Sequence, residues 1–175
     1  MTVYGYVCRV LGVHLSSGRT WREPLDMELA RKFIGGRGLG DAMLYRELKP
    51  GVDPFSPENP LIFTTGALTG TGSPFSSRSW IVTKSPLTGT ILMSNAGGFF
   101  GPELKYAGYD AIVIQGSSDS PVYLWIHDGE VELRDAGHLW GLGTVETQRR
   151  IRDETDGKAR VSCIGPAGER LVRYA

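Results

Sequence analysis

Apolar residues in this chain fall in short blocks, set apart by glycine, proline and serine. Tyr4 to Leu15 is rich in β-branched and aromatic residues and reads as a strand. Ser16 to Arg19 is a turn with Gly18 in the left-handed position, and Thr20 to Glu23 returns, which predicts a hairpin. Asp26 is placed as N-cap of a helix from Met27 to Ile34, with Leu29, Phe33 and Ile34 on one side. Gly35 and Gly36 stop it. A second helix is expected from Asp41 to Leu48, closed by Pro50-Gly51, and Val52 to Pro60 is proline-rich connection.

Further strands are predicted at Leu61 to Thr65, Arg78 to Thr83 and Ile91 to Ser94, with a turn at Ser85 to Gly89. A short helix follows at Phe99 to Ala107, then a strand at Ala111 to Gln115. Val122 to His127 and Glu130 to Arg134 flank Asp128-Gly129, the strongest hairpin signal present. Thr144 caps a helix that runs to Thr155. Strands are also expected at Arg160 to Ile164 and Leu171 to Tyr174, with a turn at Gly165 to Glu169. The total is about nine or ten short strands and four helices, an α+β pattern dominated by sheet.

Composition sharpens one region. Glycine makes up 24 of the 175 residues, about twice the usual share of ~7%. Gly66 to Gly101 carries seven glycines, and between Glu58 and Glu103 there is no acidic residue; the only charges are Arg78 and Lys84. Such a segment suits a multiply anionic ligand such as a phosphate ester, since main-chain N–H groups and a guanidinium can donate while nothing nearby repels. The plainer use of the same glycines is in tight turns. Asn95-Ala96-Gly97-Gly98 opening a helix is an anion-binding arrangement in its own right. Lys84 reads as a surface lysine beside a turn, whereas Arg78 sits between a Gly/Ser loop and an apolar strand, where an uncompensated charge is costly.

Other chemistry is excluded or weak. Lys+Arg and Asp+Glu are 19 each, so no net charge points to nucleic acid or an anionic membrane. No apolar run approaches the ~20 residues of a membrane span, and the N-terminus lacks the pattern of a signal peptide. Cys8 and Cys163 read as reduced core residues of a cytoplasmic protein. His14, His127 and His138 show no metal-ligand spacing. P-loop, nucleophile-elbow and CxxC patterns are absent. Gly36-Arg37-Gly38-Leu39-Gly40 is a weak echo of a dinucleotide fingerprint in the wrong context, after a helix.

Taken in order, several blocks resemble the N-terminal domain of the tungsten-containing aldehyde ferredoxin oxidoreductase family. They are Gly36-Arg37-Gly38-Leu39, Asp53 to Asn59, Gly66 to Thr71, Thr83 to Gly89, Asn95 to Lys105, Tyr106 to Val113 and Ile164 to Glu169. The resemblance implies one domain over residues 1–175, incomplete at its C-terminal end. It implies two mainly antiparallel β-sheets with a few short helices, forming the base for a tungsten bis-molybdopterin cofactor whose phosphates are bridged by magnesium.

It places Arg78 near the pterin and the iron–sulfur cluster, the backbone carbonyl of Asn95 on the magnesium, and Ala96, Gly97 and Gly98 along a pterin. The 4Fe-4S ligands and most of the substrate cavity would lie in helical domains outside this chain. The implied reaction is oxidation of an aldehyde to a carboxylic acid with electrons passed to ferredoxin; some members of that family reduce aromatic acyl thioesters instead. Alone, the chain is not expected to turn over aldehyde, and the surface that would face its missing partners is expected to be apolar and to favour self-association. A scaffold that keeps the fold without cofactor is the alternative the residues leave open.

Overall fold

A computed structural model describes residues 4–174; residues 1–3 and 175 of the expected domain lie outside the described residues. The fold is α+β: a six-stranded mixed sheet, a two-stranded ribbon and several short helices. The sheet contains β1 (Arg9–His14), β2 (Arg19–Pro24), β3 (Leu61–Thr65), β4 (Ser79–Lys84), β5 (Ile91–Ala96) and β6 (Ala111–Gln115). Their spatial order is β2-β1-β6-β3-β4-β5. Only β1 and β6 pair in parallel; every other neighbour is antiparallel. The ribbon pairs β7 (Val122–His127) with β8 (Glu130–Asp135) across the expected Asp128-Gly129 turn.

Side chains alternate across the sheet with period two. Val10, Ile62, Val82, Ala111 and Val113 face α1 (Met27–Phe33) and α2 (Gly36–Glu47), and close a core with Ala30, Leu39 and Leu44. Leu11, Val13 and Ile112 point the other way, to Leu104 and Tyr109 and to Leu124, Ile126, Val131 and Leu133 of the ribbon. That second layer holds α3 (Phe100–Tyr106). A third cluster, Ala136, Leu139 and Ile151, seats α4 (Thr144–Glu154) and packs against Val161. Fully buried Leu39 and Leu44 contribute roughly 1.5–3 kcal/mol each.

Some boundaries differ from the sequence reading, each for a physical reason. The first strand begins at Arg9, not Tyr4, because the N–H groups of Val7, Cys8 and Arg9 all donate to the Asp110 carboxylate. Asp26 caps α1 as expected, accepting from the N–H groups of Glu28 and Leu29. Gly35 and Gly36 follow the end of α1 at Phe33 as expected, but the second helix starts at Gly36 rather than Asp41, so Gly38 and Gly40 lie inside it. Packing overrides their poor helix propensity: a Cβ at Gly40 would sit 2.7 Å from Val82 Cγ2, and one at Gly36 would sit 3.0 Å from the Trp80 ring. Small residues let α2 lie close on β4.

The segments expected as strands at Arg160 to Ile164 and Leu171 to Tyr174 have no ladder partner, and the expected turn between them forms a short helix, α5 (Pro166–Glu169). Eight strands are therefore present among the described residues, fewer than the pattern suggests.

One buried ion pair joins the layers. Lys105 Nζ lies 2.6 Å from Asp110 Oδ1, with side chains 6% and 1% exposed. Lys105 also donates to the Gly5 carbonyl at 2.7 Å and lies over the Tyr6 ring at 5.6 Å. The Asp110 carbonyl accepts from the Thr65 N–H and hydroxyl, each at 3.0 Å. Both carboxylate oxygens of Asp110 and the Lys105 ammonium are matched at this junction, as burial demands. Burial, helped by the negative Asp110, raises the Tyr6 phenol above its ordinary value.

Two predictions follow from this packing. Asp110→Asn leaves the Lys105 ammonium buried without its counter-charge and is expected to cost about 3–5 kcal/mol, read as a lower urea midpoint; an unchanged midpoint would show the pair to be dispensable. Asp41 has a buried Oδ1 with no partner, and burial raises its carboxyl although Arg37 opposes this. A raised folded value means that its stability contribution is full below the unfolded value and is lost as pH rises through the folded one. Asp41→Asn is expected to remove that part of the pH dependence in urea titrations run across the carboxylate range.

Candidate functional site

The acid-free stretch folds into one corner of the sheet. Strand β3 delivers the chain to Gly66, the loop runs to Arg78, β4 and β5 form an antiparallel pair, and β5 returns the chain to Gly97, Gly98 and α3. The loop is held largely by its own hydroxyls. Buried Thr69 accepts from the Gly66 N–H at 3.1 Å and donates to the Arg78 carbonyl at 3.3 Å. Thr71 donates to the Leu68 carbonyl at 2.7 Å, and Ser76 to the Ser73 carbonyl at 2.8 Å. The hydroxyls therefore shape the loop and are occupied by its own main chain.

Other glycines fix the loop's position by close approach. A Cβ at Gly5 would meet the Ala67 carbonyl oxygen at 2.6 Å, and one at Gly101 would meet the Ser77 carbonyl oxygen at 3.0 Å.

Donors are left over at the end of β5. In the β4–β5 register Trp80 faces Asn95 and Ser79 faces Ala96. Arg78, just before β4, therefore lies diagonally across from Asn95, and its guanidinium donates to Asn95 Oδ1. Both are exposed. Among the described residues, the N–H groups of Gly97, Gly98 and Phe99 meet no protein acceptor. Gly98 has φ +91° and Phe99 is right-handed with φ −102°; successive left- and right-handed residues turn neighbouring N–H groups toward one concavity. A Cβ at Gly97 would meet nothing within 4 Å, so the protein's own packing does not call for glycine there.

The structure thus brings together all five residues singled out from sequence, Arg78, Asn95, Ala96, Gly97 and Gly98, at one end of the β4–β5 pair. Lys84 lies at the other end, where its ammonium donates to the Val52 carbonyl at 2.5 Å. Among the described residues no cluster of three or more His, Cys, Asp or Glu side chains could hold a metal. A metal here would need main-chain or ligand oxygens. The arrangement fits a phosphorylated group: it offers free N–H donors and a guanidinium, with no carboxylate within the stretch.

Beside this corner lies a cleft of about 400 Å³, lined by Gly70, Thr71, Phe75, Gly98, Phe99 and Tyr106 among others, with Glu103 its single carboxylate. Phe75, Phe99 and Tyr106 are strongly exposed, as are Ile91 and Met93 on β5. A larger cleft of about 650 Å³ lies between β2 and the ribbon. Arg22 stands in it, donating to Tyr109 Oη at 2.8 Å and to the Gly129 carbonyl, so it ties ribbon to sheet.

Sequence reasoning missed the Lys105–Asp110 pair and the Arg160 guanidinium, which stacks 4.6 Å from the Phe99 ring centroid. The first carried a signal: a lysine on the apolar side of a short helix, five residues before an aspartate that opens a buried strand. Arg160 carried none, because 61 residues separate it from Phe99. Cys8 and Cys163 are both free and half-buried, and burial raises the Cys163 thiol.

Comparison with known proteins gives concordant results. Residues 10–175 match the family model "Aldehyde ferredoxin oxidoreductase, N-terminal domain". The chain is 51% identical over 174 residues to the tungsten-containing aldehyde ferredoxin oxidoreductase of Pyrococcus abyssi, covering 99% of this chain and 29% of that protein. It is 37% identical over 189 residues to the aliphatic sulfonate oxidoreductase, WOR-like subunit, of Pyrococcus furiosus, covering 99% and 30%. Among solved structures, the active site complex BamBC of benzoyl coenzyme A reductase, in complex with 1,5-dienoyl-CoA, superposes with a TM-score of 0.96 at 43% identity. That match covers 98% of this chain and 26% of the other. The chain thus spans under a third of the length of these relatives.

Asn95→Ala is expected to release the Arg78 side chain without loosening the fold, with stability within about 0.5 kcal/mol of the parent. Side-chain nitrogen NMR should show faster motion and hydrogen exchange at Arg78. Identical signals in both proteins would mean that Asn95 does not hold it.

Proposed function

The chain belongs to the aldehyde ferredoxin oxidoreductase family as its N-terminal domain, and from that premise we propose that it is the base on which a tungsten bis-pterin cofactor sits. The observation that carries this reading is the run of free N–H groups at Gly97, Gly98 and Phe99 beside Arg78. Arg78 would hold the pterin through a charge-assisted hydrogen bond and lie toward the 4Fe-4S cluster. The Asn95 carbonyl would meet a magnesium ion bridging the pterin phosphates, and Ala96, Gly97 and Gly98 would pass along one pterin. Open space at Gly97 allows the backbone to come against a flat ring, which a side chain would block.

The cofactor supplies the two-electron chemistry; these residues bind it, orient it and balance its charge. The domain would span residues 1–175 and work with the remaining domains or subunit, which would carry the cluster ligands and the substrate cavity. The whole oxidoreductase would oxidise an aldehyde to a carboxylic acid and pass electrons to ferredoxin in the cytoplasm. The 51% identity to an aldehyde enzyme, against 37% and 43% to the sulfonate and acyl-thioester proteins, supports the aldehyde assignment. No helix among the described residues is long and apolar enough to cross a membrane.

The test uses the chain joined to the remaining length its relatives have, made in a tungsten-supplied host. Tungsten analysis and fluorescence of oxidised pterin should show a loaded protein. Arg78→Ala removes a charged hydrogen bond of roughly 1.5–3 kcal/mol and should lower pterin retention by tenfold or more. Gly97→Val should leave the folding midpoint nearly unchanged and still lower pterin content. Full occupancy in both variants would sink the assignment; an unloaded parent would favour a scaffold without cofactor.

A further inference from the structure

We propose that Arg160 is a second cation of the same anion site and takes a phosphate group of the ligand opposite Arg78; this rests on the reading of the β5 end as a phosphate-binding base. The Arg160 guanidinium lies over the Phe99 ring with its carbon 4.6 Å from the centroid. Phe99 is the third of the three consecutive residues whose N–H groups meet no protein acceptor. Arg78 holds the first end of the segment through Asn95, and Arg160 holds the last through Phe99. Asn95 and Phe99 lie four positions apart, so the residues that the two guanidinium groups touch bracket a short row of free donors. Two cations at the two ends of such a row suit a ligand with two phosphate groups.

Arg160 is placed there by its neighbours. The Ala159 carbonyl accepts from Arg152 Nε of α4 at 2.9 Å. Val161 packs against the Ala136–Leu139–Ile151 cluster. With both neighbours so held, the exposed Arg160 side chain lies on Phe99.

Stacking presents only the guanidinium face, and its edge N–H groups stay available. Among the described residues Arg160 has no ion pair and no hydrogen bond. The nearest carboxylate along the chain, Asp156, accepts from the Lys158 N–H at 2.8 Å. An exposed stacked pair adds little to folding, so a fixed guanidinium beside free main-chain donors is better explained by an anion.

Inorganic pyrophosphate titrated into this chain, followed by amide NMR, tests the assignment. The parent should bind saturably, with shifts at Gly97, Gly98 and Phe99. Arg160→Gln should weaken binding by about three- to tenfold with an unchanged circular dichroism spectrum, Arg160→Lys should restore part of it, and Phe99→Leu should weaken it by removing the platform. If Arg160→Gln binds like the parent while Arg78→Gln does not, Arg160 merely caps Phe99 and the inference fails while the anion site stands. If the parent shows no saturable shift at these glycines, the inference and the site fall together.

Discussion

The contact between the Lys105 ammonium and the Asp110 carboxylate, with its ring of main-chain partners, decides where the functional corner can be. Asp110 fixes the start of β1 through three N–H groups, opens β6, and turns its carbonyl to Thr65 at the end of β3. Lys105 reaches from α3 to Gly5, and Gly5 lies against Ala67 in the glycine-rich loop. The loop therefore hangs from a charged, dry junction whose geometry tolerates little error. A buried pair adds little net stability over apolar packing, but it rewards one arrangement of segments distant in sequence.

On that junction the chain builds a corner with an unusual balance. Packing satisfies the loop from within, through Thr69, Thr71 and Ser76, while the strand end at Gly97 and Gly98 keeps its donors. The glycines do two kinds of work. Gly36, Gly40 and Gly101 let protein approach protein. Gly97 has no such neighbour and leaves its strand end open to solvent.

Much of this was legible in the residues. The acid-free interval and its lone arginine located the corner, short apolar runs marked β3 and β6, alternation marked β4, and Asp128-Gly129 marked the ribbon. What was not legible depends on tertiary contact. Gly36 to Gly40, placed by propensity ahead of the second helix, form its first turn because Trp80 and Val82 lie beneath Gly36 and Gly40. Arg160 to Ile164 alternates like a strand and finds no partner, because α4 rather than a sheet edge takes up its apolar side. The turn expected at Gly165 to Glu169 closes instead as a helix, with Pro166 at its first position.

The parallel neighbours β1 and β6 set an order of events in biosynthesis. Val10 lies beside Ala111, so the first strand must wait for about a hundred more residues to leave the ribosome. At roughly 5–20 residues per second, that is a delay of several seconds. Until then the β1–β2 hairpin has an open inner edge, and its Leu11 face lacks Leu104, Tyr109 and Ile112.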